Sequence, residues 1–503
     1  MKFGFRQDKR TIVYVFFVVV LILGGLGCQS QEEQFKAAFQ KGKKNIESGN
    51  YKEAEINLKN AIKVRSDDPE LHYYLGEAYL KQGKLQNAFQ AYQKAISIEP
   101  QHIQAKLRVA NFYLHAERFE NSLSTSESVL ELEPENVKAL LLHARALGGQ
   151  DRYKAAIKDL KRIVDIEQDE VTPHILMGRY LTQLGKMKQA EQSFKKAVEL
   201  DNETPSSRYQ LARFYLLNDK PNKCEEVWKG IVEDYPDDPS HNVNLANFYK
   251  NTGKIDLAQK QIQKAIEKTP DNPRYYTYAA RLHFIRGNPE KAEQTLKKAV
   301  SKAGDKAEAY LNLASYYQAT RRYDKAKETL REAESKFSDD VRPLKGLARI
   351  YFQSNRVEEA SKYLDKILQK SDDDTFAKML KGRIDLNKRK FGKAAEIFNT
   401  IVKNNPDLAR PHYYLSLAYF GQGMEHQAKS SLDKALEKKP DYTKALLRKA
   451  ELSLKNRELE QAEQLCEKAL DNSPKNLQAR ILKGRIALAA DQFDQAEEVF
   501  NKI

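Results

Sequence analysis

The sequence is poor in cysteine, glycine and proline, and it lacks the short motifs of common catalytic sites. Its 503 residues include 3 Cys, 22 Gly and 16 Pro, a composition that suits helices and excludes a low-complexity chain. No HExxH zinc motif, GxxxxGK[ST] phosphate loop or GxSxG nucleophile motif occurs, and the 9 His are scattered. We therefore predict that the protein is not an enzyme and that it holds neither a metal nor a cofactor.

Long runs of one charge are also missing, although the chain is basic. It has 85 Lys and Arg against 70 Asp and Glu, a formal net charge of +15, with both signs intermixed and no block of five like charges. A positive balance favours anionic partners such as acidic protein, anionic lipid or acidic polysaccharide. An ordinary solvated surface explains the same composition, and we do not expect nucleic acid as a partner.

One long apolar run stands at the N-terminus. Residues 1–10 are basic, Thr11–Gly27 is apolar, and Cys28 follows, with a polar stretch from residue 29 to residue 34. A basic region, an apolar region and small residues at its end are the three parts of a secretory signal. We predict a signal peptide or signal anchor over residues 1–27 and a polar tether over residues 28–34, with the rest of the chain outside the cytoplasm.

Cys28 after Gly27 resembles the lipobox of bacterial lipoproteins, in which the cysteine is lipidated and becomes the new N-terminus. Leu26 and Gly25 depart from the usual order of that motif. Two interpretations follow: a lipoprotein attached through Cys28, or an uncleaved signal anchor. Both attach the protein to a bacterial membrane by its N-terminus, facing the periplasm or the cell exterior.

The remaining residues repeat every 34 positions. A chain of 503 residues exceeds the roughly 250–300 residues at which one core stops growing, so repeats are expected. Counting each repeat from Phe35 as position 1, position 8 is Gly, Ala or Ser in all fourteen units and position 20 is Ala in twelve of fourteen. Small residues at these spacings let two helices approach closely, and large residues four positions later, such as Leu58 and Phe194, would pack around them.

Proline supports the same register because it breaks helix interiors. All 16 Pro fall at positions 1, 3, 17 or 32 of the repeat, which are predicted turns or first helical turns. Cys224 replaces the small residue of repeat 6 and Cys466 a large core residue of repeat 13, so both are predicted to be buried thiols. Repeats 1, 4, 11, 13 and 14 look weaker, because position 7 there is polar (Lys41, His143, Lys381, Lys449 and Lys483).

Segments such as Leu71–Pro100 (LHYYLGEAYLKQGKLQNAFQAYQKAISIEP) resemble the tetratricopeptide repeat family. The resemblance covers residues 35–503 and implies an all-α, right-handed superhelical solenoid of about fourteen helical hairpins. The last repeat is incomplete at Ile503, and we expect the natural chain to continue. The resemblance further implies that the first helix of each pair lines a concave groove that binds proteins or peptides.

Position 9 carries a recurring arginine that family geometry places on that groove. Arg is found there in half of the repeats: Arg145, Arg179, Arg213, Arg281, Arg349, Arg383 and Arg485. Guanidinium groups suit bidentate contacts with carboxylate or phosphate, so these residues are candidate ligand-binding residues. The competing interpretation is that each Arg pairs with a neighbouring Glu or stacks on a neighbouring Tyr.

A long array behind a lipoprotein-like signal is similar to the tetratricopeptide lipoproteins of exosortase and exopolysaccharide systems. We therefore expect a membrane-tethered interaction scaffold that assists export of a surface polysaccharide or protein. Two alternatives remain: an interaction module of a longer enzyme whose catalytic domain lies beyond Ile503, and direct binding of acidic polysaccharide in the Arg-lined groove.

Overall fold

The computed structural model describes residues 31–201, 203–303 and 305–503, and these residues form twenty-eight α-helices and no strand. Contacts divide the chain after Pro236 into two compact units. The helices pair as fourteen hairpins, six in the first unit and eight in the second, so the predicted all-α repeat architecture is confirmed.

The first unit holds repeats 1–6. Its helices are α1 (Gln31–Glu47), α2 (Tyr51–Val64), α3 (Pro69–Lys81), α4 (Leu85–Ile98), α5 (Ile103–His115), α6 (Phe119–Leu130), α7 (Val137–Gly149), α8 (Tyr153–Ile166), α9 (Val171–Gln183), α10 (Met187–Leu200), α11 (Ser206–Leu217) and α12 (Pro221–Asp234).

The second unit holds repeats 7–14. Its helices are α13 (Pro239–Asn251), α14 (Ile255–Lys268), α15 (Pro273–Ile285), α16 (Pro289–Lys302), α17 (Ala307–Ala319), α18 (Tyr323–Lys336), α19 (Val341–Gln353), α20 (Val357–Lys370), α21 (Thr375–Asn387), α22 (Phe391–Asn404), α23 (Ala409–Gly421), α24 (Glu425–Lys438), α25 (Thr443–Lys455), α26 (Leu459–Asn472), α27 (Leu477–Ala489) and α28 (Phe493–Asn501).

Each hairpin is closed by the small-against-large packing that the repeat pattern predicts. A Cβ added to Gly76 would lie 2.5 Å from the Tyr92 ring, and one added to Gly178 would lie 2.8 Å from the Phe194 ring. Position 20 is inaccessible in every repeat, from Ala54 to Ala496, at 0 or 1% exposure. The prediction that small residues at positions 8 and 20 let the two helices pack closely is confirmed. Position 20 is Ala except in repeats 3 and 6, where Ser122 and Cys224 take its place.

Every hairpin turns through one residue in the left-handed region, at position 15. Six of the fourteen residues with positive φ are Gly, as at Gly83 (φ 74°), whereas the other eight carry side chains, as at Arg389 (φ 56°). Glycine adopts this conformation without steric penalty and other residues do so at a cost. The turn geometry is therefore set by hairpin packing, because it persists where the local residue does not favour it.

Four of the five polar residues at position 7 pair with carboxylates. Lys381, Lys449 and Lys483 each donate to a carboxylate sixteen residues earlier, on the second helix of the preceding repeat: to Asp365 at 2.7 Å, to Asp433 at 2.6 Å and to Glu467 at 3.1 Å. The expectation that repeats 11, 13 and 14 are weak at this position needs correction, since an inter-repeat ion pair replaces the apolar contact.

His143 in repeat 4 uses two carboxylates in the same way. Its Nδ1 lies 2.7 Å from Asp159 and its Nε2 lies 3.2 Å from Glu127. Burial disfavours the protonated ring, but the hydrogen bonds to Asp159 and Glu127 outweigh it and raise the pKa of His143 above its ordinary value. The ring therefore links the second helices of two successive repeats.

Both repeat cysteines are free thiols buried in the core, as predicted. Burial raises the pKa of Cys224 and of Cys466 to about 11, which makes both thiols poor nucleophiles. Among the residues that the structure describes, no three His, Cys, Asp or Glu side chains form a group suited to hold a metal ion.

The predicted signal over residues 1–27 and the lipidation candidate Cys28 lie outside the described residues. Helix α1 begins at Gln31, so it includes four residues that sequence analysis assigns to the tether. None of the helices described by the structure combines the length and the hydropathy that crossing a bilayer requires.

Candidate binding surface on the inner face of repeats 4 to 6

Within each unit, the first helices of successive hairpins form one face, here called the inner face. Helix α5 packs directly against α7, and α15 against α17, whereas successive second helices in the described residues do not pack to a comparable extent. Second helices form the opposite, outer face. The position-9 residues Glu77, Arg179, Arg349 and Arg383 contact residues of neighbouring first helices on this face.

Three position-9 arginines of the first unit lie on consecutive helices α7, α9 and α11. Arg145, Arg179 and Arg213 are all exposed. Arg179 donates from Nη2 to the Gln210 side chain at 2.9 Å. No side-chain hydrogen bond or ion pair with a described residue is found for Arg145 or Arg213. Two of the three guanidinium groups are therefore available to a ligand.

In the second unit two position-9 arginines stack on aromatic rings of neighbouring helices, instead of remaining open to a ligand. Arg349 stacks on Phe376 at 5.4 Å, and Arg383 lies between Phe352 at 4.7 Å and Tyr414 at 5.3 Å. These stacks occupy the guanidinium faces and are worth roughly 0.5–1 kcal/mol at exposed sites. Arg281 and Arg485 are exposed on the same face of this unit.

A pocket of about 370 Å³ opens between α9 and α11 of the first unit. Arg179 and Arg213 lie on its wall with the rings of Tyr153, Tyr180 and Phe214. Tyr153 and Tyr180 are tilted neighbours whose ring centroids are 5.5 Å apart. The pocket thus combines cationic groups with aromatic rings, of which Tyr153 and Tyr180 are half-buried and Phe214 is buried, and together they suit an acidic residue that is followed by an apolar one.

Tyr180 occupies its place because Gly148 on the preceding first helix has no side chain. A Cβ at Gly148 would lie 2.2 Å from the Tyr180 hydroxyl oxygen. Burial raises the pKa of Tyr180, while Arg145 and Arg179 act in the opposite direction. The phenol therefore stays neutral, and its ring is held close to both arginines.

Repeats 2 and 3 of the same unit neutralise their inner face instead. The Glu77 carboxylate at position 9 accepts hydrogen bonds from Nε and Nη2 of Arg108, at 2.7 and 2.8 Å. It also accepts one from the Tyr92 hydroxyl, at 2.6 Å. Burial and the hydrogen bond to Glu77 raise the pKa of Tyr92. The position-9 carboxylate of repeat 2 is therefore neutralised by repeat 3, whereas the position-9 arginines of repeats 4–6 meet no carboxylate among the described residues.

The 34-residue pattern marks the arginines but not the residues that complete the pocket. Gly148 and Tyr180 meet because positions 12 and 10 of successive first helices are neighbours, while Tyr153 begins the second helix α8 and Gln210 lies at position 6 of α11. A signal was present, since Gly148 interrupts a predicted helix and its partner Tyr180 stands 32 residues later. This pair can be recognised only when it is known how the first helices of successive hairpins stack.

Solved structures similar to this chain are helical repeat proteins of low identity. MamA from Desulfovibrio magneticus RS-1 is 23% identical over 35% of this chain and 100% of its own, with a TM-score of 0.33. Yeast Tom70 is 16% identical over 85% and 95%, with a TM-score of 0.41. The structure of Naa15/Naa10 bound to HypK-THB is 12% identical over 98% and 92%, with a TM-score of 0.46. The comparison with curated proteins returns no match.

Family models match along most of the chain. Two models described as tetratricopeptide repeat match residues 181–242, 283–342, 322–384, 419–468 and 454–503, and residues 39–103 and 243–308, which together exceed half of the chain. A model described as anaphase-promoting complex, cyclosome, subunit 3 matches residues 115–197. These matches lie within the region of helical hairpins and leave residues 104–114 and 385–418 unmatched. The chain belongs to the tetratricopeptide repeat family, whose fold is a scaffold for protein–protein interaction.

Proposed function

We propose that this scaffold binds an acidic segment of a partner protein on the inner face of repeats 4–6. The observation that carries the proposal is that Arg145 and Arg213 are exposed without a side-chain partner among the described residues, beside the 370 Å³ pocket. An arginine left unpaired on a conformationally fixed helix is ready to bind a carboxylate in a bidentate manner.

The spacing of the three arginines favours an extended ligand. Adjacent packed helices lie about 8–10 Å apart, which sets the separation of equivalent residues in successive repeats. An extended chain rises about 3.3 Å per residue, so every third residue advances about 10 Å. A peptide with Glu or Asp at every third position would place successive carboxylates opposite Arg145, Arg179 and Arg213.

A direct test uses the full chain in mild detergent and a fluorescent peptide of repeated Glu-Ser-Ser units. The triple variant Arg145→Ala/Arg179→Ala/Arg213→Ala should bind this peptide at least about tenfold more weakly, a loss of about 1.4 kcal/mol. Thermal stability should change little, because all three side chains are exposed. Binding should also weaken with added salt.

The matched control removes three charges from elsewhere in the same repeats. Arg152→Ala/Lys158→Ala/Lys188→Ala alters exposed residues at or on the second helices α8 and α10. It should retain the affinity of the unmodified chain. Equal weakening by both triple variants would mean that the peptide responds only to net charge, which would contradict a specific inner-face site.

A second candidate ligand for the same surface is an acidic polysaccharide. The paired rings of Tyr153 and Tyr180 beside Arg179 favour it, because sugar rings stack on aromatic side chains while uronate carboxylates bind guanidinium groups. In a competition experiment, a polyuronate oligomer and the unlabelled Glu-Ser-Ser peptide each displace the fluorescent peptide. If the oligomer does so at the lower concentration, the polysaccharide is the preferred ligand.

We further propose that the scaffold is attached to the outer surface of a bacterial membrane through its N-terminus, where it serves export of a surface polysaccharide or protein. The support is the basic, apolar and small-residue order of residues 1–28. Cys28→Ala should abolish incorporation of labelled fatty acid and leave residues 1–27 attached, so that the variant migrates as a larger species than the unmodified chain. Equal size of the two chains, with no fatty-acid label in either, would instead indicate the uncleaved signal anchor.

A further inference from the structure

The first unit has a second cleft, on its outer face, that the inner-face function does not use. It has a volume of about 660 Å³ and lies between the second helices α8 and α10. Apolar residues of α8 and α9 and the adjoining Leu184, among them Ile157, Met177 and Leu181, form its floor. We call it the outer cleft.

An inter-repeat ion pair that is found elsewhere in the array is missing at the outer cleft. At three other junctions, Glu at position 21 accepts a hydrogen bond from Lys or Arg at position 16 of the next repeat. These pairs are Glu55 with Lys84 at 2.7 Å, Glu191 with Lys220 at 3.1 Å, and Glu293 with Arg322. Repeat 4 has Ile157 at position 21, so the equivalent cation, Lys186, has no carboxylate to bind at that position.

The rim of the outer cleft is strongly cationic. Lys154, Lys161, Lys186 and Lys196 surround it, and Asp165 is the single carboxylate among its lining residues. Of the four lysines, Lys196 pairs with Glu199 at 3.2 Å, whereas no side-chain partner among the described residues is found for the other three. Uncompensated charge of this density attracts an anionic partner.

The floor of the outer cleft is apolar and carries no negative charge. Ile157, Val164 and Leu184 are half-buried there. The imidazole of His174 is buried, its Nε2 has no hydrogen-bond partner among the described residues, and burial with the nearby Lys196 lowers its pKa. An apolar strip between two cationic rims is complementary to an amphipathic segment with acidic flanks.

The dimensions of the outer cleft fit a helix. Lys154 and Lys161 are seven residues apart on α8, which places them on one face about 10 Å apart, and Lys186 and Lys196 span about 15 Å along α10. The two walls, each of about three helical turns, form a groove in which a third helix can lie with its apolar stripe against the floor of the outer cleft.

We propose that the outer cleft docks an amphipathic helix of a partner protein whose narrow apolar stripe is flanked on both sides by Asp or Glu.

The decisive variant is Ile157→Glu, which introduces the residue found at position 21 of repeats 1, 5 and 8. The new carboxylate would pair with Lys186, add a charge to the floor and repel an acidic helix, and the fold already accommodates a glutamate at the equivalent position of those repeats. The probe is a fluorescent fourteen-residue peptide whose helical form carries Leu on one stripe and Glu on both flanks. With the full chain in mild detergent, Ile157→Glu should weaken its binding at least tenfold.

Three controls separate docking from general attraction. Lys158→Glu introduces a carboxylate on the same helix outside the outer cleft and should bind within about threefold of the unmodified chain. Lys154→Ala/Lys161→Ala should weaken binding even if Ile157→Glu proves unstable in a melting experiment. The inner-face triple variant should bind the helical peptide normally, so the failure of either proposal can be recognised independently.

Methyl-labelled methionine locates the peptide. The chain has 5 Met, and among those in the described residues Met177 alone lines the outer cleft, so its ε-methyl signal should shift saturably on binding while those of Met379 and Met424 stay in place. Unchanged affinity in Ile157→Glu and Lys154→Ala/Lys161→Ala, equal binding of a sequence-scrambled peptide, or an unshifted Met177 signal would each overturn the proposal.

Discussion

Ala258→Leu should lower the free energy of unfolding of the second unit by about 1–3 kcal/mol. Ala258 is fully inaccessible at position 20, where α14 meets its hairpin partner α13, which carries the equally inaccessible Ala246. Three additional carbon atoms at this crossing cannot fit without separating the helices or forcing neighbours such as Ile262 from their rotamers. Chemical denaturation followed by far-ultraviolet circular dichroism measures the change.

Lys264→Leu is the matched control, because it introduces the same side chain on the same helix at an exposed site. It should alter stability by less than about 0.5 kcal/mol. Ala190→Leu tests the equivalent crossing in the first unit and should resemble Ala258→Leu. If the position-20 variants were as stable as Lys264→Leu, the close approach of the two helices would not be what these alanines provide.

The prediction of the repeat from sequence succeeded because its determinants are local and recur fourteen times. A small residue at position 8, another at position 20 and a large residue at position 24 are visible in one hairpin, as in Gly178, Ala190 and Phe194. Proline placement excludes any shifted register. Repetition turns a weak single pattern into a strong one, which is why the fold, although not the division after Pro236, could be predicted.

The candidate site was only partly predictable, because its character depends on contacts between repeats. Position 9 marks Arg179 and Arg383 as equivalent, yet Arg383 stacks on Phe352 and Tyr414 whereas Arg179 lies at a pocket wall. The difference arises from aromatic residues on neighbouring first helices. The same limitation explains why Lys381 looked like a weak point of repeat 11. Its partner Asp365 stands sixteen residues earlier and can be recognised only once the stacking of hairpins is known.

Acid should weaken the stacking of repeats 5 on 6 and 8 on 9 through two equivalent glutamates. Glu191 accepts from Lys223 at 2.8 Å, Lys220 at 3.1 Å and the Tyr215 hydroxyl at 3.0 Å. Hydrogen bonds from Lys223 first, and then from Lys220 and Tyr215, outweigh burial and lower the pKa of Glu191 to about 2. At Glu293 burial opposes ionisation, but hydrogen bonds from Arg322, Tyr317 and Lys297 lower the pKa of this carboxyl also to about 2.

The direction of the pH effect follows from these values. A carboxyl whose pKa is near 2 when folded and 4.5 when unfolded stabilises the native state fully above pH 4.5 and loses that contribution as the pH falls to about 2. The full shift corresponds to about 3 kcal/mol for each group, which screening around the half-exposed lysine partners reduces to about 1 kcal/mol. At pH 7, Glu191→Gln and Glu293→Gln should therefore each be less stable than the unmodified chain by about 1 kcal/mol.

The distinguishing measurement is the dependence of that difference on pH and salt. Urea denaturation of the unmodified chain and of each Gln variant at a series of pH values should give curves that converge as the pH falls from 4.5 to about 2, because the protonated Glu then resembles Gln. Glu290→Gln, which changes an exposed glutamate of the same helix as Glu293, should run parallel to the unmodified chain throughout. A difference for Glu293→Gln that stayed constant to about pH 2 would mean that the side chain contributes through packing rather than through its charge. Added salt should reduce the difference at pH 7 without abolishing it, since screening acts on the ion pairs with Lys220, Lys223 and Arg322 and leaves the hydrogen bonds from the tyrosine hydroxyls in place.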